Sequence, residues 1–180
     1  NVRIIGDVTL TGNVQNQAAG GGLAIEAVNG SLDTATSSLS TANGQIDLSA
    51  TDTDGTPVTV TVGSGGVASG GGLININSAD EVVLTGPGTT NAGTGNVNIT
   101  ANDESLIDGS GLITADTVTL SAATGVGASN AVNTSGTSLL VANTASGAID
   151  IVETDDVTLV DLTQGGPGAS TVTAGGMITV

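Results

Sequence analysis

Short runs in which apolar and polar residues alternate recur from one end of the chain to the other. They include Val8-Thr9-Leu10, Leu23-Ala24-Ile25, Ile46-Asp47-Leu48, Val58-Thr59-Val60-Thr61-Val62, Ile74-Asn75-Ile76, Val97-Asn98-Ile99, Val118-Thr119-Leu120 and Ile149-Asp150-Ile151. A period of two over three to five residues marks a strand with one buried face. The stretches between the runs are rich in Gly, Asn, Asp and Ser, the residues that tight turns need. Pro57, Pro87 and Pro167 each sit at a strand boundary or in a glycine-flanked turn. No amphipathic helix is predicted.

The runs also repeat one another. Gly72, Ile74, Ile76, Asp80, Val82 and Leu84 recur 75 residues later as Gly147, Ile149, Ile151, Asp155, Val157 and Leu159. A related unit runs from Leu112 to Leu120. The shared pattern reads as strand, polar corner carrying Asp, strand. Repeats of this size with loops of varying length are the mark of a solenoid, in which each coil buries its apolar face only against its neighbours. Strand starts at Leu23, Ile46, Leu73, Val97, Val118 and Leu139 lie 21 to 27 residues apart. That spacing predicts about eight coils and a rod of about 40 Å at one strand spacing per coil.

Composition sharpens the choice. There is no Phe, Trp, Tyr or Cys among the 180 residues, and only one Met. Aromatic rings normally fill a wide interior; a core built from Val, Leu, Ile and Ala alone has to be narrow. The expected fold is therefore all-β, a right-handed parallel β-helix of about eight coils, the hand following from the preference of parallel crossovers. Residues 1–180 read as a single β-helix segment. A β-sandwich is the alternative, disfavoured by the missing aromatics and by the long-range self-similarity. Disorder is countered by the positive mean hydropathy of +0.31 and by the alternating runs.

The stretches GGLINI…DEVVLTG, GNVNITA, GLITADTVTLSA and GAIDIVETDDVTL resemble the haemagglutinin-type repeat regions of large secreted bacterial adhesins, the filamentous-haemagglutinin-like exoproteins. The resemblance covers most of the chain. It implies a long β-helical shaft, export by two-partner secretion, and a place outside the cell or on its surface. The function expected is that of a structural shaft of an extracellular fibre, filament or adhesin, with an ice-binding or a glycan-binding or glycan-cleaving β-helix as alternatives.

Seventeen Asp and Glu face a lone basic residue, Arg3, for a net charge of −16. Such a surface repels phosphate, so neither nucleic acid nor membrane insertion is expected. No run approaches the length of a transmembrane helix. Without His, Lys or Cys, nucleophilic triads and the usual zinc sites are unavailable, and no enzyme is expected. Carboxylate pairs remain as candidates for glycoside hydrolysis, Asp155-Asp156 and Asp103-Glu104, but neighbours on a strand point to opposite faces. The one cofactor the residues suggest is calcium. Asp52-Thr53-Asp54-Gly55 resembles the opening of an oxygen-ligand loop without its remaining ligands, so Asp52 and Asp54 are the metal candidates, weighed against a plain solvated turn.

Other positions read as structural. Asp47 and Asp150 should point to solvent between inward neighbours. Asn77, Asn96, Asn102 and Asn143 are expected to form amide ladders at coil corners. The pairs Thr9/Thr11, Thr59/Thr61, Thr117/Thr119 and Thr171/Thr173 bear on ice binding, which needs such a pair in every coil of one face. Finally, Val2-Arg3-Ile4-Ile5 and Met177-Ile178-Thr179-Val180 both read as core strands. Written tail to head, GGMITV-NVRIIGDVTLTG parallels GGLINI-NSADEVVLTG. The expected partners are therefore further coils, of the same chain or of a second copy, stacked end to end.

Overall fold

The computed structural model describes residues 1–102 and 106–180. Among them every element is a β-strand, and every strand pairing is parallel. The chain winds as a parallel β-helix of eight coils with the start of a ninth. The sandwich alternative is excluded, because its sheets are antiparallel.

Three faces run the length of the rod. The first carries Val2–Ile5, Leu23–Val28, Ile46–Thr51, Ile74–Ser78 and Val97–Ala101, and ends with Val157–Gln164 and Ile178–Thr179. Partners stacked on this face are Val2, Ile25, Leu48, Ile76, Ile99, Leu120, Val141 and Leu162, spaced by 21 to 28 residues. The second face begins with Val8–Thr9 and the third with Val14–Asn16. Two long strands, Leu112–Ala122 and Val132–Asn143, bend around the corner from third face to first without a turn.

Alternation decides what faces inward, and the rung spacing decides that like sits on like. Ile46, Ile74, Val97, Val118 and Leu139 form one buried row of the first face. Ala27, Ala50, Ser78, Ala101 and Ala122 form another. Leu32, Val60, Val82, Ile107, Val126 and Ile149 line the second face, and Leu39, Val67, Thr90 and Ile113 the third. These rows merge into one apolar core cluster. Small residues occupy the rows nearest the corners, where the faces converge. Burying such aliphatic side chains contributes roughly 1.5–3 kcal/mol each before chain entropy is counted.

The 75-residue recurrence has a meaning that its sequence does not disclose. Ile74 lies on the first face and Val82 on the second. Their counterparts lie on other faces: Ile149 stacks on Val126 of the second, and Val157 pairs with Ile178 on the first. Beyond three whole coils, Ile74 to Ile149 advances by one face and Val82 to Val157 by two. A strand–corner–strand module with Asp at the bend serves at more than one corner of the same rod.

Between the third and first faces the backbones of successive coils nearly touch. A Cβ on Gly44 would collide with the Gly21 carbonyl, one on Gly72 with the Gly44 carbonyl, and one on Gly95 with the Gly72 carbonyl. Side chains at the end of the third face lock the same corner. Asn16 Nδ2 donates to Gly22 O at 2.9 Å, and Thr41 Oγ1 to Gly44 O at 2.7 Å; Ser69 Oγ donates to Gly72 O. Gly12, by contrast, has nothing within 4 Å of a Cβ. Gly72→Ala should therefore cost about 1–3 kcal/mol through overpacking, while Gly12→Ala stays within about 0.5 kcal/mol. Urea midpoints of the two variants check this, and equal shifts would contradict the glycine stack.

Candidate functional site

The side chains with chemistry are the carboxylates and amides, and the fold uses most of those it describes as braces. At the corners, where the strand ladder is interrupted, backbone N–H groups need acceptors. Asx side chains of an adjacent coil supply them. Asp7 Oδ1 accepts from Ser31 N at 2.8 Å, Asn13 Oδ1 from Ser38 N at 3.0 Å, and Asn29 Oδ1 from Thr53 N at 2.8 Å. Asp80 Oδ2 accepts from Val58 N at 2.8 Å, and Asp156 Oδ1 from Met177 N at 2.6 Å. Each of these bonds ties one coil to the next.

Asp52 and Asp54 lie together in the exposed turn between Ile46–Thr51 and Thr59–Val62. Asp52 Oδ1 accepts from the N–H groups of Asp54 and Gly55, each at 2.8 Å, and Asp54 Oδ1 accepts from Thr56 N at 3.0 Å. The bond from Asp54 N is the main cause that holds the Asp52 carboxyl below its ordinary value; desolvation opposes it, and the bond from Gly55 N adds to the lowering. This is the geometry of a self-capped turn. Among the described residues no three His, Cys, Asp or Glu side chains are grouped to hold a metal ion.

Asp155 and Asp156 share the corner after Ile149–Glu153. Asp155 Oδ2 accepts from Ser135 Oγ at 3.3 Å and Thr154 Oγ1 at 3.2 Å, whereas Asp156 is engaged with Met177 N. The two carboxyls thus brace opposite neighbours. Asp103-Glu104 lies outside the described residues.

Two features escaped the sequence reading. Asp47 does point outward, but it anchors a ladder along the first face. Gln45 Nε2 and Asn75 Nδ2 donate to its Oδ1 at 2.6 and 2.8 Å, and Asn98 Nδ2 donates to Asn75 Oδ1 at 3.1 Å. The expected corner ladder exists at Asn102, which donates to Asn77 at 3.0 Å. Asn143 instead points inward, above Ala122, and donates to Gly147 O at 2.9 Å while its Oδ1 has no partner among the described residues.

The second feature is Glu153, a carboxylate inside the rod. It stacks on Thr134 in the inward row of the third face and is only 2% exposed. No cation meets it. Thr134 Oγ1 donates to Oε2 at 2.8 Å, Thr154 N to Oε1 at 2.9 Å, and Gly136 N to both oxygens at 3.2 Å. The signal was present in the alternation, since Ile149, Ile151 and Glu153 share a parity.

The threonine pairs fall on different faces. Thr59 and Thr61 lie on the second, Thr117 and Thr119 on the first. Thr9 pairs with Asp33, and Thr61 pairs with Asp33 and Val83. These pairs form no continuous threonine ladder. Comparison with known protein families, with curated proteins and with solved structures finds no match.

Two outcomes test the bracing. Glu153→Gln turns an acceptor into a donor facing N–H groups and should cost about 1–3 kcal/mol, read as a shift in the urea midpoint. For Asp52 the depressed carboxyl means a stabilising effect present above the ordinary carboxylate range and lost as pH falls through the folded value. Hydrogen exchange at Asp54 and Gly55 N–H should accelerate relative to neighbouring amides below that range. Asp52→Asn should remove the pH dependence.

Proposed function

We propose that the protein is a passive structural shaft, a rod segment of an extracellular or cell-surface fibre or adhesin, and that it turns over no substrate. The observation that supports this most is how the carboxylates and amides are used. Asp7, Asn13, Asn29, Asp80, Glu153 and Asp156 accept backbone or hydroxyl donors across a coil boundary, so the groups that chemistry would need are spent on joining coils. The three hydrogen-bonded faces and the shared core resist bending from every side, as a shaft requires. A charge of −16 keeps such a rod soluble and sheds phosphate-bearing partners. Calcium enters only as a weak counterion, with Asp52 and Asp54 the first place it would concentrate.

Small-angle scattering should report an elongated particle of about 40 Å along its axis, at one rung spacing per coil. Incubation with neutral and acidic polysaccharides should release no reducing ends. Release that disappears in Asp155→Asn or Asp156→Asn would overturn the reading in favour of a glycan-cleaving β-helix.

A further inference from the structure

Two asparagines of the chain are followed by glycine, in Asn29-Gly30 and Asn43-Gly44. Such a pair carries chemistry of its own, whatever the rod does. The glycine nitrogen can close a five-membered ring on the preceding side-chain Cγ, and without a Cβ nothing shields that nitrogen. In an unfolded chain the two pairs should react alike. The fold makes them different.

Asn29 is held from the next coil. It lies between Leu23–Val28 and Leu32–Asp33 with φ at 52°, and its Oδ1 accepts from Thr53 N and Thr53 Oγ1, each at 2.8 Å. Its amide can swing toward Gly30 N only when both bonds break.

Asn43 has no such hold. It is an exposed residue on the bend between Leu39–Thr41 and Ile46–Thr51, and its amide makes no hydrogen bond among the described residues. A Cβ on Gly71 would come within 3.0 Å of its Oδ1, so the coil above approaches it with bare backbone. Glycine is also obligatory beside it, because a Cβ on Gly44 would collide with the Gly21 carbonyl. The corner stack thus fixes the reactive pair in place.

We propose that Asn43 is a site of spontaneous modification, converted through a cyclic imide with Gly44 to aspartate and isoaspartate, while Thr53 protects the same pair at Asn29. Hydroxide takes the Gly44 N–H proton, the nitrogen bonds to Asn43 Cγ, and the side-chain nitrogen leaves as ammonia. Water then opens the imide. Breaking the bond to Cγ leaves aspartate; breaking the bond to the main-chain carbonyl carbon leaves isoaspartate, whose backbone runs through Cβ and Cγ and is one atom longer. Nitrogen is exchanged for a water oxygen, and nothing is oxidised or reduced.

The two products differ for the rod. Aspartate leaves the backbone path unchanged. Isoaspartate lengthens it where Gly72 packs on the Asn43 and Gly44 carbonyls and where Thr41 Oγ1 donates to Gly44 O at 2.7 Å. The modification therefore limits how long this corner keeps its stack.

Ageing the folded chain in mildly alkaline buffer gives the test, read by peptide mass mapping and by enzymatic methylation of isoaspartate. The chain in guanidinium chloride is the reference, where both asparagines should convert at similar rates. In the folded chain Asn43 should convert about tenfold faster than Asn29 or more, the two hydrogen bonds from Thr53 setting the margin. Thr53→Ala removes one donor and should raise conversion at Asn29 several-fold while leaving that at Asn43 unchanged. Asn43→Ser should abolish the fall in urea midpoint that accompanies ageing. Equal rates in the folded chain, or a faster Asn29, would overturn the protection by Thr53. An Asn43 that converts in guanidinium chloride but not in the folded chain would overturn the proposal, the packed corner then holding the backbone too still for the ring to close.

Discussion

The parallel backbone ladder between successive coils imposes the condition that everything else in this protein obeys. It sets one rung on the next at about 4.8 Å, so each inward side chain must pack on the residue directly above and below it. Rows of similar size follow: Ile and Val and Leu in the middle of the first face, Ala beside its corner. An aromatic ring in one rung would have to be matched or accommodated in its neighbours, and the chain contains none. The same spacing makes glycine necessary where Gly44, Gly72 and Gly95 stack at the corner, because a Cβ there would meet a carbonyl of the preceding coil.

Corners are where the ladder fails, and polar side chains take over. Coils differ in length, so backbone N–H groups at the bends do not always find a carbonyl above or below. Asp and Asn reach across the gap with an acceptor, which explains why a rod with almost no basic residues carries so many short acidic and amide side chains. Glu153 extends the device into the core. A buried carboxylate without a cation is costly unless it is fully hydrogen-bonded, and here the Thr134 hydroxyl and the N–H groups of Gly136, Thr154 and, at 3.4 Å, Asp155 surround it. Asp7, Asp33, Asp52, Asp54, Asp80, Glu153 and Asp156 thus all serve as acceptors for backbone N–H groups.

Much of the fold was legible from residues alone. The period-2 runs placed the strands, the absence of rings demanded a narrow core, and the 21- to 27-residue spacing of strand starts agrees with the coil count. The polar roles were less so. The outward direction of Asp47 follows from alternation, but its partners Asn75 and Asn98 lie one and two coils away, and only the register brings them into reach. The inward direction of Asn143 and Glu153 was available from parity, yet polarity argued for the surface. Nothing in one strand reveals that the coil beside it offers donors.

By itself the sequence determined the strand content, the narrow aliphatic core and the solenoid, because these depend on local alternation and on residue size. The tertiary structure decided which face each strand joins, since that depends on corner lengths accumulated along the chain. It moved Ile149 to the second face although its sequence twin Ile74 lies on the first. It separated Thr59 from Thr117, and it turned Asp52, Asp80 and Asp156 from candidate ligands or loop residues into acceptors for backbone N–H groups. Angular position is a sum over every preceding bend, and no short window of residues contains that sum.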